Sequence, residues 1–242
     1  MSAKWWDVTW NPVTGCSPIS PGCKNCWARG MARRLAGRCG YPPGDGFSVT
    51  LHPDKLQVPL HWQKPRRVFV CDMGDLLHPD VPRQAIWQIL DVVAQCDHHT
   101  FMVLTKRPER LAQEYADYIA YRGNLGPLPN LWLGVTAENQ AEWDHRVPIL
   151  QQIPAALRFV SCEPLLGRIA CDNLDGIGWV IAGGETGPGA RECRREDTRI
   201  LFWKCGLIGV PFFFKHRGGN EPASTDEAVA KCQEIPKEVK TT

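Results

Sequence analysis

From Arg67 onward, short apolar runs recur at intervals: R-V-F-V-C-D (67–72), T-F-M-V-L-T (100–105), L-W-L-G-V-T (131–136), L-R-F-V-S (157–161), W-V-I-A-G-G (179–184) and P-F-F-F-K (211–215). Each is rich in β-branched or aromatic residues and bounded by polar or turn residues, which predicts strands buried on both faces. Helical spacing falls between them, over residues 82–94, 108–119, 143–151 and 195–205. Nearer the start, Val8-Thr9-Trp10 reads as a strand and Trp27–Leu35 as a helix ended by Gly37 and Gly40, with a further short strand over 49–51. Seven strands alternating with helices fit a full or partial α/β barrel in one domain, with a doubly wound open sheet as the alternative.

Polar residues gather where these runs end: C-D-M-G-D (71–75), T-K-R-P (105–108), T-A-E-N (136–139), S-C-E-P (161–164), G-G-E-T-G (183–187) and K-H-R-G-G (215–219). In parallel barrels the active site is built at the carboxyl ends of strands, so six such clusters favour an enzyme over a scaffold. The barrel is assigned to residues 1–219, and the polar stretch 220–242 is read as a loosely held tail.

Composition narrows the setting. The chain has 242 residues, 43% hydrophobic and 22% charged, which is globular composition. No apolar run is long enough to span a membrane and no signal-peptide pattern opens the chain, so a cytoplasmic location is expected. Net charge is only +2, which leaves room for a local basic face. Eleven cysteines in such a chain point to metal or buried thiols rather than a disulfide framework. Cys71, Cys96, Cys162, Cys171, Cys205 and Cys232 lie in apolar or amphipathic contexts and read as small buried hydrophobes. Cys39 and Cys193 sit in polar surroundings and are weaker candidates for a fourth ligand.

The sharpest chemistry lies in Gly15 to Trp27, G-C-S-P-I-S-P-G-C-K-N-C-W. Gly15, Pro18, Pro21 and Gly22 bar regular helix or strand, so Cys16, Cys23 and Cys26 can converge from one curved loop. Three thiolates would hold a four-iron cluster with one iron open to a ligand. Structural zinc completed by His or a fourth Cys, and plain buried thiols, are the other readings of the same spacing.

The ordered motifs T-G-C-x6-C-x2-C-W-A, F-V-x-D-M-G-D-L-L-H, L-T-K-R-P-E-R, L-G-V-T-A-E, S-C-E-P-L-L-G and G-G-E-T-G resemble a family of phage and bacterial proteins. That family is radical-SAM-like, is described by its three-cysteine motif, and is mostly of unassigned function. The resemblance runs from about Trp5 to Gly219. It implies a partial (βα)6-type TIM barrel of the radical-SAM kind, a 4Fe–4S cluster on Cys16, Cys23 and Cys26, S-adenosylmethionine as cofactor, and an electron donor such as flavodoxin or ferredoxin. The commonest radical-SAM spacing is C-x3-C-x2-C; here six residues separate Cys16 from Cys23. Asn25 stands where that pattern has an adenine-contacting aromatic, and Trp27 follows. By the same resemblance Met73, Gly74 and Asp75 lie where the cofactor's methionine amino group binds. Thr105, Thr136 and Ser161, at strand ends, complete the cofactor-binding set.

The other strand-end residues carry open roles. Asp75 is equally an N-cap. Arg107 can clamp a carboxylate or phosphate and Lys106 supplies a point charge. Alternation along a strand lets at most one of them face the site, and salt bridges to Glu109 or Glu138 are the bland reading. Glu138 and Glu163 are candidates for ribose hydroxyls, for Lys106 or for proton transfer, which makes Lys106, Glu138 and Glu163 the catalytic set. Gly183, Gly184 and Glu185 resemble a backbone nest for an anion or the cofactor adenine. Arg107, Arg191, Lys215, His216 and Arg217 are the substrate-binding candidates. With Arg194 and Arg195, whose bland reading is a solvated helix face, they suggest a basic rim. Trp5, Trp6, Trp10 and Trp27 read mostly as shielding core, with one free to stack on a base.

The expected activity is therefore that of a radical S-adenosylmethionine enzyme acting on a modified nucleotide or DNA base. One concrete version is an isomerase of a hypermodified thymine side chain. A zinc-stabilised nucleic-acid-binding protein without catalysis, and a barrel hydrolase using Glu138, Glu163 or Glu185, are the alternatives.

Overall fold

The computed structural model describes residues 4–218 and 227–237. In chain order the strands are β1 (Val8–Trp10), β2 (Val13–Thr14), β3 (Thr50–Leu51), β4 (Arg67–Val70), β5 (Thr100–Thr105), β6 (Leu131–Thr136), β7 (Leu157–Cys162), β8 (Trp179–Gly183) and β9 (Phe212–His216). The helices are α1 (Trp27–Leu35), α2 (Arg83–Gln95), α3 (Pro108–Tyr121), α4 (Gln140–Gln152), α5 (Arg195–Ile208) and α6 (Glu227–Lys231). Seven strands form one sheet in the order β1-β4-β5-β6-β7-β8-β9, and every neighbouring pair is parallel. β2 and β3 pair antiparallel to each other, apart from it. The chain is thus a mixed α/β single domain whose sheet curls into a half-barrel. Spatial order follows chain order with no reversal, so the sheet lacks the switch point of a doubly wound fold.

Two apolar layers flank this sheet. On the convex side, Val68, Val70, Leu131 and Leu133 pack against helical residues such as Ile89, Val93, Tyr118 and Leu150. Period-two alternation sends the intervening residues inward, where Met102, Trp132, Phe159, Trp179, Ile181 and Phe213 fill the hollow together with Trp5. The Trp5 and Trp179 rings meet edge to face, with centroids 5.7 Å apart. Gly134 lies in the same layer; a methyl there would overlap the Phe159 ring.

Moving along the strands by two residues changes the chemistry. Met102 gives way to Leu104, Gly134 to Thr136, Phe159 to Ser161 and Phe213 to Lys215. The aromatic layer therefore becomes the floor of a cavity, and the next inward layer its polar wall.

Part of the stretch read as a tail is tied to the sheet. Phe213 bridges Gln233, the Glu234 N–H donates to the Phe212 carbonyl at 3.1 Å, and the Trp179 indole N–H donates to the Glu234 carbonyl at 2.9 Å. This covers the free edge of β9. Residues 220–226 and 238–242 of that stretch, and Gly219 before it, lie outside the described residues. Among the described residues no helix is long and apolar enough to cross a membrane.

Candidate active site

At the carboxyl ends of the strands lies a cavity of about 620 Å3, within the roughly 300–1,000 Å3 that small-molecule and cofactor sites occupy. Cys16, Cys23 and Cys26 all line it; each is half-buried and free. The loop that carries them is anchored at its start by Gly15, whose N–H donates to the Met73 carbonyl at 2.9 Å. Gly15 has φ +90°, and a methyl there would overlap the Ser48 carbonyl, so both backbone and space require glycine.

Three buried carboxylates then grip the loop from three strand ends. After β6, Glu138 is fully buried and binds Lys106 and Arg146, the latter at 2.9 Å. The Ser20 hydroxyl donates to the same carboxylate. The Lys106 ammonium also reaches Ser20 Oγ at 3.1 Å and Cys23 Sγ at 3.6 Å. Gly22 lies so close that a methyl would overlap the Glu138 carboxylate.

After β4, Asp75 accepts from the Leu77 N–H at 2.9 Å, the Thr105 hydroxyl at 2.7 Å and Arg107 Nη1 at 2.7 Å. That guanidinium also reaches Cys16 Sγ at 3.5 Å and the Ser17 carbonyl at 3.2 Å. After β8, Glu185 binds Arg191 and accepts from the Asn25 amide at 2.8 Å, while Arg191 Nη2 donates to the Pro21 carbonyl at 3.0 Å.

Of Lys106 and Arg107 only Lys106 lines the cavity, as expected, yet both reach the cysteine loop. β5 ends at Thr105, and Arg107 caps α3 with φ −123° and ψ 66°. Arg107 therefore reaches Cys16 from the start of α3, beside Asp75, and not from the strand.

The charges shape the thiols differently. Burial pushes the Cys16 thiol up to about 11, and Asp75 adds to this against the opposing Arg107. Burial also raises Cys23, but the Lys106 ammonium and the hydrogen bonds from Ile19 and Ser20 outweigh it, and its pKa falls below the usual thiol value. Cys23 is thus inclined toward the thiolate form that binds metal. Among the described residues no three His, Cys, Asp or Glu side chains are gathered as a single metal ion requires.

Burial disfavours ionised Glu185, yet the hydrogen bonds from Arg191 and Asn25 hold its pKa down to about 2. A carboxylate depressed from 4.5 adds stability that is fully present above the unfolded value and is lost as pH falls toward the folded one. In thermal melts across a pH series, the advantage of the native protein over Glu185→Gln should be greatest above about pH 5 and shrink between there and pH 2. An advantage independent of pH would refute the clasp.

Away from the cysteines the cavity has a second, aromatic and charged end. Glu163, followed by a cis peptide bond to Pro164, accepts from Lys215 Nζ at 3.1 Å and from the Ser161 hydroxyl at 3.2 Å. Lys215 Nζ stands 5.4 Å from the centroid of the Trp6 ring. Asp72 accepts from the Asn11 amide at 2.6 Å and, among the described residues, has no ion pair. Burial raises its pKa, opposed by that amide and by Lys215 and Lys4 farther off.

The sequence-predicted residues divide accordingly. Trp27, Gly74, Asp75, Thr105, Thr136 and Ser161 line the cavity, as do Gly184, Glu185, Lys106, Glu163, Lys215 and His216. Met73, Gly183, Glu138, Arg107, Arg191 and Arg217 do not line it. Gly184 does not offer its N–H to a ligand: it donates to the His216 carbonyl at 2.9 Å, and a methyl there would overlap the Arg217 carbonyl. Cys193 is buried and Cys39 exposed, and neither lines the cavity. Trp5 and Trp10 are core, whereas Trp27 is 50% exposed at the rim. Sequence reasoning missed Asp72, Phe69 and the site role of Trp6; Phe69 lies in register with inward-facing Met102, and its place in an apolar run was the available signal.

Residues 1–238 match a family described as "Protein of unknown function (DUF5131)". No curated protein matches the chain, and no solved structure does. That description names neither radical chemistry nor a three-cysteine motif.

Proposed function

The chain belongs to the DUF5131 family, whose description assigns no activity, and from its own site we propose that it is a radical S-adenosylmethionine enzyme on a (βα)6-type half-barrel. One observation carries this reading. Three free thiols from a single turn-rich loop line one cavity at the carboxyl ends of parallel strands. An iron–sulfur cluster spans its ligands, so its thiols stand farther apart than those around a single ion. A cavity wall carrying three thiols, with cations against two of them, suits such a group.

When bound, the cluster and S-adenosylmethionine would supply a 5′-deoxyadenosyl radical for hydrogen abstraction. The protein's own residues would do the rest. Cys16, Cys23 and Cys26 would hold the cluster. Asp75 already accepts from Thr105, Arg107 and the backbone, so it acts as a strut. Asp72, with its single amide partner, is better suited to accept an ammonium group. Thr136 and Ser161 offer hydroxyls from the wall, and Trp27 an aromatic face at the rim. Glu163 and Lys215, paired across β7 and β9, are the groups able to hold or move a proton beside a substrate. A modified nucleotide or DNA base is the substrate class proposed, with isomerisation of a hypermodified thymine side chain as its concrete version. Flavodoxin or ferredoxin would supply the electron, in a reducing cytoplasmic setting.

Anaerobic purification with iron and sulfide analysis tests the reading. The expected result is a brown protein that forms 5′-deoxyadenosine when given modified DNA. A colourless protein with stoichiometric zinc would overturn the radical assignment, and turnover with free amino acids or peptides alone would exclude the DNA version.

A further inference from the structure

Between Asp7 and Asp45 the chain contains no acidic residue, yet it carries Lys24, Arg29, Arg33, Arg34 and Arg38. The whole chain has a net charge of only +2, so elsewhere carboxylates outnumber lysines and arginines. The positive excess is concentrated in the segment that bears the three cysteines.

Its placement is equally one-sided. α1 starts directly after Cys26 and turns Ala28 and Ala32 inward. At about 100° per residue, Trp27, Met31 and Arg34 share one exposed side of the helix, and Arg33 projects from the outer surface roughly a quarter turn round from Arg34. Trp27 is 50% and Met31 37% exposed. Lys24, Arg33, Arg34 and Arg38 are exposed, and among the described residues none of the four has an ion-pair partner. The helix dipole favours cations in the last turn, which accounts for Arg33 and Arg34 but not for Lys24, for Arg38 or for the missing carboxylates. Trp27 belongs to this face and to the cavity wall at once, so the face begins at the cavity mouth.

We propose that the exposed face of α1 is a docking surface for a DNA strand, which presents one base to the cavity while its phosphates lie along Arg33, Arg34 and Arg38. This rests on the reading above and deepens it, since the substrate becomes a base within a polymer rather than a free nucleotide. Nine helical residues span roughly 13 Å, the axial rise of about four phosphates on one strand. An exposed indole at the mouth provides a stacking platform for the base or its neighbour. The cavity volume admits a flipped base, whose extrusion is least costly from single-stranded or already modified DNA.

The test uses the full chain and a fluorescently labelled, mixed-sequence single-stranded DNA oligonucleotide, with anisotropy read over a salt series. The triple variant Arg33→Gln, Arg34→Gln, Arg38→Gln should lower the slope of log K against log salt by about 2, at roughly 0.7 per phosphate contact. Trp27→Ala should weaken binding about tenfold with the slope unchanged. All four side chains are exposed, so circular dichroism should report native folding for both variants. An unchanged slope in the triple variant, binding to RNA but not DNA, or a face that captures an acidic flavodoxin and no DNA would each overturn the proposal. Its failure is separable from that of the radical reading. Iron-loaded protein that ignores DNA removes the docking face alone, and DNA-binding protein that never takes up iron removes the radical chemistry alone.

Discussion

Cys23→Ala is expected to lose the cluster and reduce cofactor cleavage to background while the protein stays folded. Among the three candidate ligands, Cys23 sits against the Lys106 ammonium at 3.6 Å and has a lowered pKa despite its burial. It is therefore more readily available as a thiolate than Cys16, whose thiol is raised. Cys39 and Cys193 do not line the cavity; Cys71 does, but it is buried and burial pushes its thiol far up, so it is a poor replacement ligand. The structural cost is small by contrast. Cys23 is half-buried and Lys106 keeps Glu138 as its partner, so thermal unfolding should move by no more than about 1 kcal/mol. Iron content, visible absorption and 5′-deoxyadenosine yield measure the first effect, and a melting curve the second. If Cys23→Ala retained full activity on a native fold, the barrel-hydrolase alternative would gain and the cluster would lose its basis.

Glu138→Gln is expected to cost about 3–5 kcal/mol, the scale seen when one partner of a buried ion pair is removed. The Glu138 side chain is fully buried between Lys106 and Arg146. Gln preserves the volume but leaves two cations facing a neutral amide. Arg146, 2% exposed, keeps one carboxylate, Glu142 at 2.5 Å, whereas Lys106 keeps none at ion-pair distance among the described residues. For a chain of this length the loss corresponds to a fall in melting temperature of about 10 °C. The same change should release Ser20 and loosen the seat of Cys23, so iron loading should drop along with stability. A double-mutant cycle with Lys106→Met isolates the pair. A single-variant loss below about 1 kcal/mol would mean that Glu138 is not the node described.

The two predictions separate what the cysteine loop does from what holds it. Cys23 faces the cavity and contributes little to the fold. Glu138 does not line it and contributes much. Both were candidates for chemistry on sequence grounds, since each is a reactive residue type near a strand end. Burial and partners divide them.

Much of the architecture was legible along the chain. The strands expected over 100–105 and 131–136 coincide with β5 and β6, and Trp27–Leu35 is α1, because continuous β-branched and aromatic runs and a 3.6-residue period are local signals. The turn-rich loop around the cysteines was legible in part: Gly15, Pro18, Pro21 and Gly22 were expected to bar any helix, yet Pro21–Cys23 form one short 3-10 turn, which Pro tolerates at its start. The pairing of Asp75 with Arg107 was hidden. It depends on where β5 stops, and element ends are weakly encoded. That Asp72 keeps an amide partner and no cation, beside the saturated Asp75, was hidden for a related reason. Two carboxylates three residues apart look alike until neighbours 32 residues away, Asp75 to Arg107, choose one of them.

By itself the sequence determined a parallel α/β sheet, the placement of three thiols on one turn-rich loop, and a polar ring at the strand ends, because each follows from residue type and spacing over a few residues. Only the tertiary structure decided which strand-end carboxylates are struts and which stay open, that Lys106 and Arg107 both turn toward the cysteines, and that the cationic face of α1 begins at the cavity mouth. Those outcomes depend on desolvation and on partners brought together by curling of the sheet, and neither is a property of any short stretch of chain.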